Sequence, residues 1–143
     1  MNEIRYVSKK EMQKILEKLK KEPSIFVAEL FGDSLRNEKE FMNGTLDAFC
    51  FPTSSSRYLK YGWYNDYICD LLWIKEPNIA MVVHNYNIIL CDDEIIKHWW
   101  IDDLKEIVLP WWDGEVVGHM IGGCPRKFTV YLEVESGQPS VEL

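Results

Sequence analysis

Ser24-Ile25-Phe26-Val27-Ala28-Glu29-Leu30-Phe31, closed by Gly32-Asp33, is a mostly apolar run bounded by turn residues. Its length suits a strand, and a strand without alternation is buried on both faces, which implies a parallel sheet covered by helices. Asn78-Ile79-Ala80-Met81-Val82-Val83-His84 is a second run of this kind. Arg126 to Val134 alternates instead, which predicts a third strand lying at an edge.

The segments around these strands carry helical signals. Ser8 and Glu11 form a capping box, after which Met12, Ile15, Leu16 and Leu19 keep helical spacing, predicting an amphipathic helix from Lys9 to Lys21 that stops before Pro23. This helix counts as an N-terminal extension over residues 1–22. Asn37 and Glu40 start another helix, marked by Phe41, Met42, Leu46 and Phe49. Phe51-Pro52-Thr53-Ser54-Ser55-Ser56 is a turn-rich loop. Asn85 is placed to cap a short helical segment from Tyr86 to Cys91. Asp92, Asp93 and Glu94 put negative charge at the start of a longer helix, with an apolar stripe of Ile95, Ile96, Trp99, Trp100, Leu104, Ile107 and Val108 and a stop or kink at Pro110. Glu115 to Gly123 reads as a helical turn or a loop, and residues 135–143 as a polar tail. The expectation is one α/β domain over residues 1–143: a small three-stranded, mainly parallel sheet packed by helices.

Composition narrows the function. Sixteen basic against 23 acidic residues give a formal charge of −7, which argues against nucleic-acid or anionic-membrane binding and favours a basic partner. Aromatic content of 13% with six Trp is high, so rings are expected on the surface as well as inside. Residues 1–5 lack the apolar run of a signal peptide and no long apolar stretch follows, so a cytosolic location is expected. Cys50, Cys69, Cys91 and Cys124 are spread without a Cys-x-x-Cys pair and read as buried small apolar residues, with no zinc site or disulfide framework implied. No cofactor is called for.

Tyr61 to Ile74 is the stretch with the most chemistry. Read as one helix, it puts Tyr64, Ile68, Leu71 and Leu72 on a core-facing arc and Trp63, Asp66, Tyr67, Asp70 and Trp73 on the other. A solvated face usually mixes charges and carries few rings; this one holds only acids set among rings, which suits a cationic partner. The bland alternative is aromatic core plus a solvated acidic edge.

With helices and strands in this order, the chain resembles the barstar family of intracellular ribonuclease inhibitors. Phe26 to Phe41 is similar to that family's opening strand, turn and first helix start, Leu46 to Pro52 to its helix end followed by Phe-Pro, and Met81 to Tyr86 to a strand running into an Asn-aromatic pair. The resemblance implies that the helix after Tyr61 and the loop before it plug the basic active site of a toxin nuclease, with carboxylates standing where substrate phosphates would sit. Partner-binding residues implied are Tyr58, Tyr61, Trp63, Asp66, Tyr67, Asp70 and Trp73, in a monomer that has no catalytic residues of its own. Two alignments stay open: anchoring on Tyr61-Gly62 makes Asp66 and Asp70 the family's two acids, whereas anchoring on Asn65 to Ile74 puts Gly62 at the first acid. The longer insert between Phe51 and Tyr61, the N-terminal helix and Trp111 to Cys124 depart from the family's pattern.

Two rival readings stand beside this. A small enzyme would rest on His84 or His98, although no phosphate loop, His-Glu-x-x-His or nucleophile elbow accompanies them. A non-catalytic interaction module would use another surface, with Trp111-Trp112 as the obvious patch.

Overall fold

The computed structural model describes residues 2–52 and 61–135, and for residues 61–63 the backbone alone. Its elements are β1 (Glu3–Val7), α1 (Lys9–Lys20), β2 (Ile25–Phe31), α2 (Glu38–Ala48), α3 (Tyr61–Ile68), β3 (Asn78–His84), α4 (Glu94–Asp103), α5 (Val116–His119) and β4 (Lys127–Glu133). The strands form one all-parallel sheet in the order β1-β4-β3-β2.

The sheet thus has four strands, one more than the sequence predicted. The added strand is β1, which pairs with β4 from Glu3↔Thr129 to Val7↔Glu133. That pairing moves β4 from the expected edge to the interior, beside β3. It also makes α1 the crossover between two strands. From β2 to β3 to β4 the chain steps one way across the sheet, with its helices on one face; from β1 to β2 it steps back. A right-handed crossover in the reverse direction must lie on the opposite face. Accordingly Met12 and Leu19 of α1 pack with Val7, Ala80 and Val82, while Ile79, Met81 and Val83 face the larger core built with α2, α3 and α4.

The predicted caps hold. Ser8 and Glu11 exchange bonds of 3.1 and 2.8 Å at the start of α1, and Asn37 Oδ1 accepts from Glu40 N at 2.9 Å in α2. Gly32, at the end of β2, lies under the main-chain carbonyl of Asn85, where any Cβ would collide. Residues 85–92 form successive turns, not the helical segment expected; Asn85 and Leu90 take positive φ angles of 52° and 55° there, which no helix accommodates.

After α4 the chain continues through two wide, π-type turns, Leu104–Val108 and Trp111–Glu115, on either side of Pro110. Proline lacks the N–H for a regular helical bond and crowds the carbonyl before it, which explains widening at this point. Of the expected stripe, Ile95 is 82% exposed and Ile107 46%, whereas Trp100, Leu104 and Val108 are fully buried. Trp112 is also buried, its Nε1 donating to Ile68 O at 3.0 Å, and Trp111 packs partly against the core. The expected Trp111-Trp112 surface patch therefore does not exist. Two of the cysteines expected inside, Cys50 and Cys124, are exposed, Cys50 in the turn after α2 and Cys124 in the irregular segment before β4. Among the described residues no helix is long and apolar enough to cross a membrane.

Candidate functional site

α3 is anchored from below. Tyr64, Ile68 and Leu71 are fully buried, with the Tyr64 ring 5.7 Å from Trp99 and 6.3 Å from Phe41. Asn65 Nδ2 donates to Asp103 Oδ1 at 2.8 Å, tying α3 to α4. Burial raises the Asp103 pKa; the Asn65 bond opposes this and Glu106 adds to it. The Tyr64 hydroxyl is pushed up by its own burial first and by the Asp103 carboxylate second. Tyr64 Oη, Asn65 Oδ1, Asp103 Oδ2 and Trp100 Nε1 are all buried without a hydrogen-bond partner among the described residues.

The helix is shorter than expected. It ends at Ile68, and Leu71 adopts φ 50°, so the register that would carry Leu72 inward is lost. Leu72 points out, 72% exposed, and Trp73 folds back, donating from Nε1 to Phe49 O at 2.7 Å. Tyr67 stacks on Phe51 at 5.0 Å, and Trp73 meets both rings edge-on at 5.9 and 6.4 Å. Tyr67 and Trp73 are consequently half-buried members of a fixed ring stack and not freely standing side chains.

The two acids differ. Asp66 is exposed. Asp70 is half-buried, with a buried Oδ1 that lacks a hydrogen-bond partner, and its charge acts on Arg126. That arginine donates to Leu71 O at 2.9 Å and Glu76 O at 3.2 Å and lies over the Trp112 ring at 5.1 Å. Its pKa is lowered by burial, against which Cys124, Glu76 and Asp70 act. Cys69 reports the local field: its thiol is pushed up to about 12 by burial first, then by the carboxylates of Asp103, Asp66 and Glu115. A thiol so held is inert at neutral pH. Glu115 thus joins the acidic flank although the sequence reading left its segment unassigned; alternation of charge with structure that awaits two π-type turns gives no periodic signal there.

Of the residues singled out from sequence, Tyr67 and Trp73 come together in one ring stack, while Asp66 acts on Cys69 and Asp70 on Arg126. Tyr58 lies outside the described residues, as do the side chains of Tyr61 and Trp63.

The histidines do not converge. His84, at the end of β3, has Nε2 2.9 Å from Glu29 Oε1 and Nδ1 3.9 Å from Glu133 Oε2, with Phe31 stacked on its ring at 4.7 Å. Burial pushes the Glu29 carboxyl up, but bonds from His84 and Lys20 outweigh it and hold it below its ordinary value. Among the described residues no hydroxyl or thiol is hydrogen-bonded to His84. His98 is exposed on α4, beside a cleft of about 130 Å³ that also meets Lys97 and Tyr86. Lys97 is occupied: Nζ donates to Tyr86 O at 2.8 Å and sits 4.5 Å over the Tyr86 ring, and burial lowers its pKa.

The chain is thus an α/β protein with an open, all-parallel sheet and an acidic flank backed by packed rings. No family model matches it, and no curated protein or solved structure gives a match.

Proposed function

We propose that the chain is a barstar-like, cytoplasmic immunity protein that binds and inhibits a cognate toxin, a nuclease with a basic active site, through α3 and the loop before it. The observation that carries this reading is Asp66 exposed on a helix whose inner face, Tyr64 and Ile68, is fully buried, with Asp70 four residues further on. Preorganised carboxylates on a packed element lose little entropy on docking to Lys or Arg. Leu72 and the exposed edges of Tyr67 and Trp73 would add the apolar contact typical of interface anchors. Long-range attraction would speed encounter and weaken as salt rises, an effect for which the barstar–nuclease pair is itself the standard illustration. No catalytic or cofactor role is assigned to the chain.

The test is pull-down and titration against the product of the adjacent gene, with wild type and an Asp66→Ala/Asp70→Ala double variant. Loss of affinity together with a flatter salt dependence is expected. Equal affinity and an unchanged salt slope in the double variant would reject the acidic-helix reading.

A further inference from the structure

β2 closes one side of the sheet and is bonded to β3 alone. Among the described residues, no other segment pairs with the main chain of residues 26–30 on its outer side. In a parallel strand about half of the N–H and C=O groups point to each neighbour, so this edge leaves a row of unmet donors and acceptors. The sequence does little to blunt it: Ile25 to Phe31 contains no Pro, Lys or Arg, and its one charge, Glu29, is turned toward Lys20 and His84 at 3.2 and 2.9 Å.

A groove of about 540 Å³ runs beside the edge, between β2 and α2. Phe31, 53% exposed, stands at one end. Asn43 Oδ1 is buried there with no hydrogen-bond partner among the described residues. Glu40 and Asp47 are exposed on the α2 wall, and among the described lining residues there are three carboxylates and no Lys or Arg. The groove therefore combines an open strand edge, a buried acceptor, an exposed ring and charge of one sign.

We propose that this edge takes an extended, cationic segment of a partner protein as an added strand. Main-chain bonds to β2 would provide the affinity, and alternate side chains would divide between Phe31 on one side and the Glu40 carboxylate on the other. The surface is separate from α3, so the proposal stands or falls independently of the toxin reading.

A fluorescent peptide alternating Lys and Val, titrated into the full chain and followed by anisotropy, tests this. Saturable binding with a Kd on the order of 100 µM or tighter is expected, together with slower amide exchange in residues 26–31. Glu40→Gln should weaken it about tenfold, N-methylation of alternate peptide residues should abolish it, and Asp66→Ala should leave it unchanged. The N-methylated probe needs no protein variant, so a misfolded variant cannot hide the answer. Equal binding of a Glu-Val peptide, protection of α3 in place of β2, or concentration-dependent protection of β2 without peptide would overturn the proposal; the last would mean that a second copy of the chain takes this edge.

Discussion

Three hydrogen bonds from one short side chain hold the beginning of β1 in place. Asn2 Nδ2 donates to Leu109 O at 3.3 Å and Arg126 O at 3.1 Å, and Asn2 Oδ1 accepts from Phe128 N at 2.7 Å. Replacing it by Ala strands a buried N–H and two carbonyls, at about 1–3 kcal/mol in total after relaxation and water entry. Asn2→Ala should therefore lower the melting temperature by about 3–9 °C; a thermal scan showing no shift would mean that water replaces the amide without loss. Asp103 makes a different prediction. Its folded pKa is raised, chiefly by burial, so its contribution is fully present below the ordinary Asp range near ~4 and is lost as pH rises through the folded value. Asp103→Asn keeps an acceptor for Asn65 and removes that loss, so the variant should gain on wild type between pH 4 and 8 in paired melts. A difference that stays constant with pH would contradict the assignment. Neither residue was legible beforehand: a lone Asn beside the first Met has no motif, and only the fold brings Asp103 under Asn65.

α3 shows what helical spacing can and cannot predict. Tyr64 and Ile68 fell inside as their spacing required, because both lie within the helix, whereas Leu71 is buried three residues beyond its end. Leu72 and Trp73 exchanged places, because the left-handed Leu71 at φ 50° resets the rotation and angular arithmetic assumes there is no such break. Asp66 is exposed, whereas Asp70 is half withdrawn beside Arg126. Between single variants, Asp66→Ala should cost the proposed toxin complex about 1.5–3 kcal/mol, a fall of roughly 10- to 150-fold in affinity, and Asp70→Ala should cost less. The reverse order in titration calorimetry would favour the alignment in which Asp70 belongs to a different part of the surface. A stability prediction belongs to the preceding helix: Cys50 ends α2 at φ 56° and is exposed, so Cys50→Gly removes a steric penalty and should stabilise by about 0.5–1 kcal/mol. A variant that melts lower than wild type would place the benefit of Cys50 elsewhere.

At the scale of the molecule, the two long apolar strands and the helices between them were readable because burial on both faces leaves an unbroken run. β1 was missed although Glu3-Ile4-Arg5-Tyr6-Val7 alternates, since so short a run is ambiguous until β4 lies next to it. The segment of residues 1–22 consequently supplies an edge strand and the helix over Ala80 and Val82. Its deletion should abolish cooperative unfolding, and a truncated chain that still gives a single sharp melt would show that the other three strands suffice. The same pairing bears on biosynthesis. Asn2 and Phe128, bonded to each other, are 126 positions apart, and β4 is both the last strand made and the one that β1 and β3 must flank. Until β4 has emerged from the ribosome, β1 and β3 lack the strand that lies between them. Closure of the sheet therefore waits until synthesis has passed residue 133, and it depends on contacts as far as 126 positions apart in the chain.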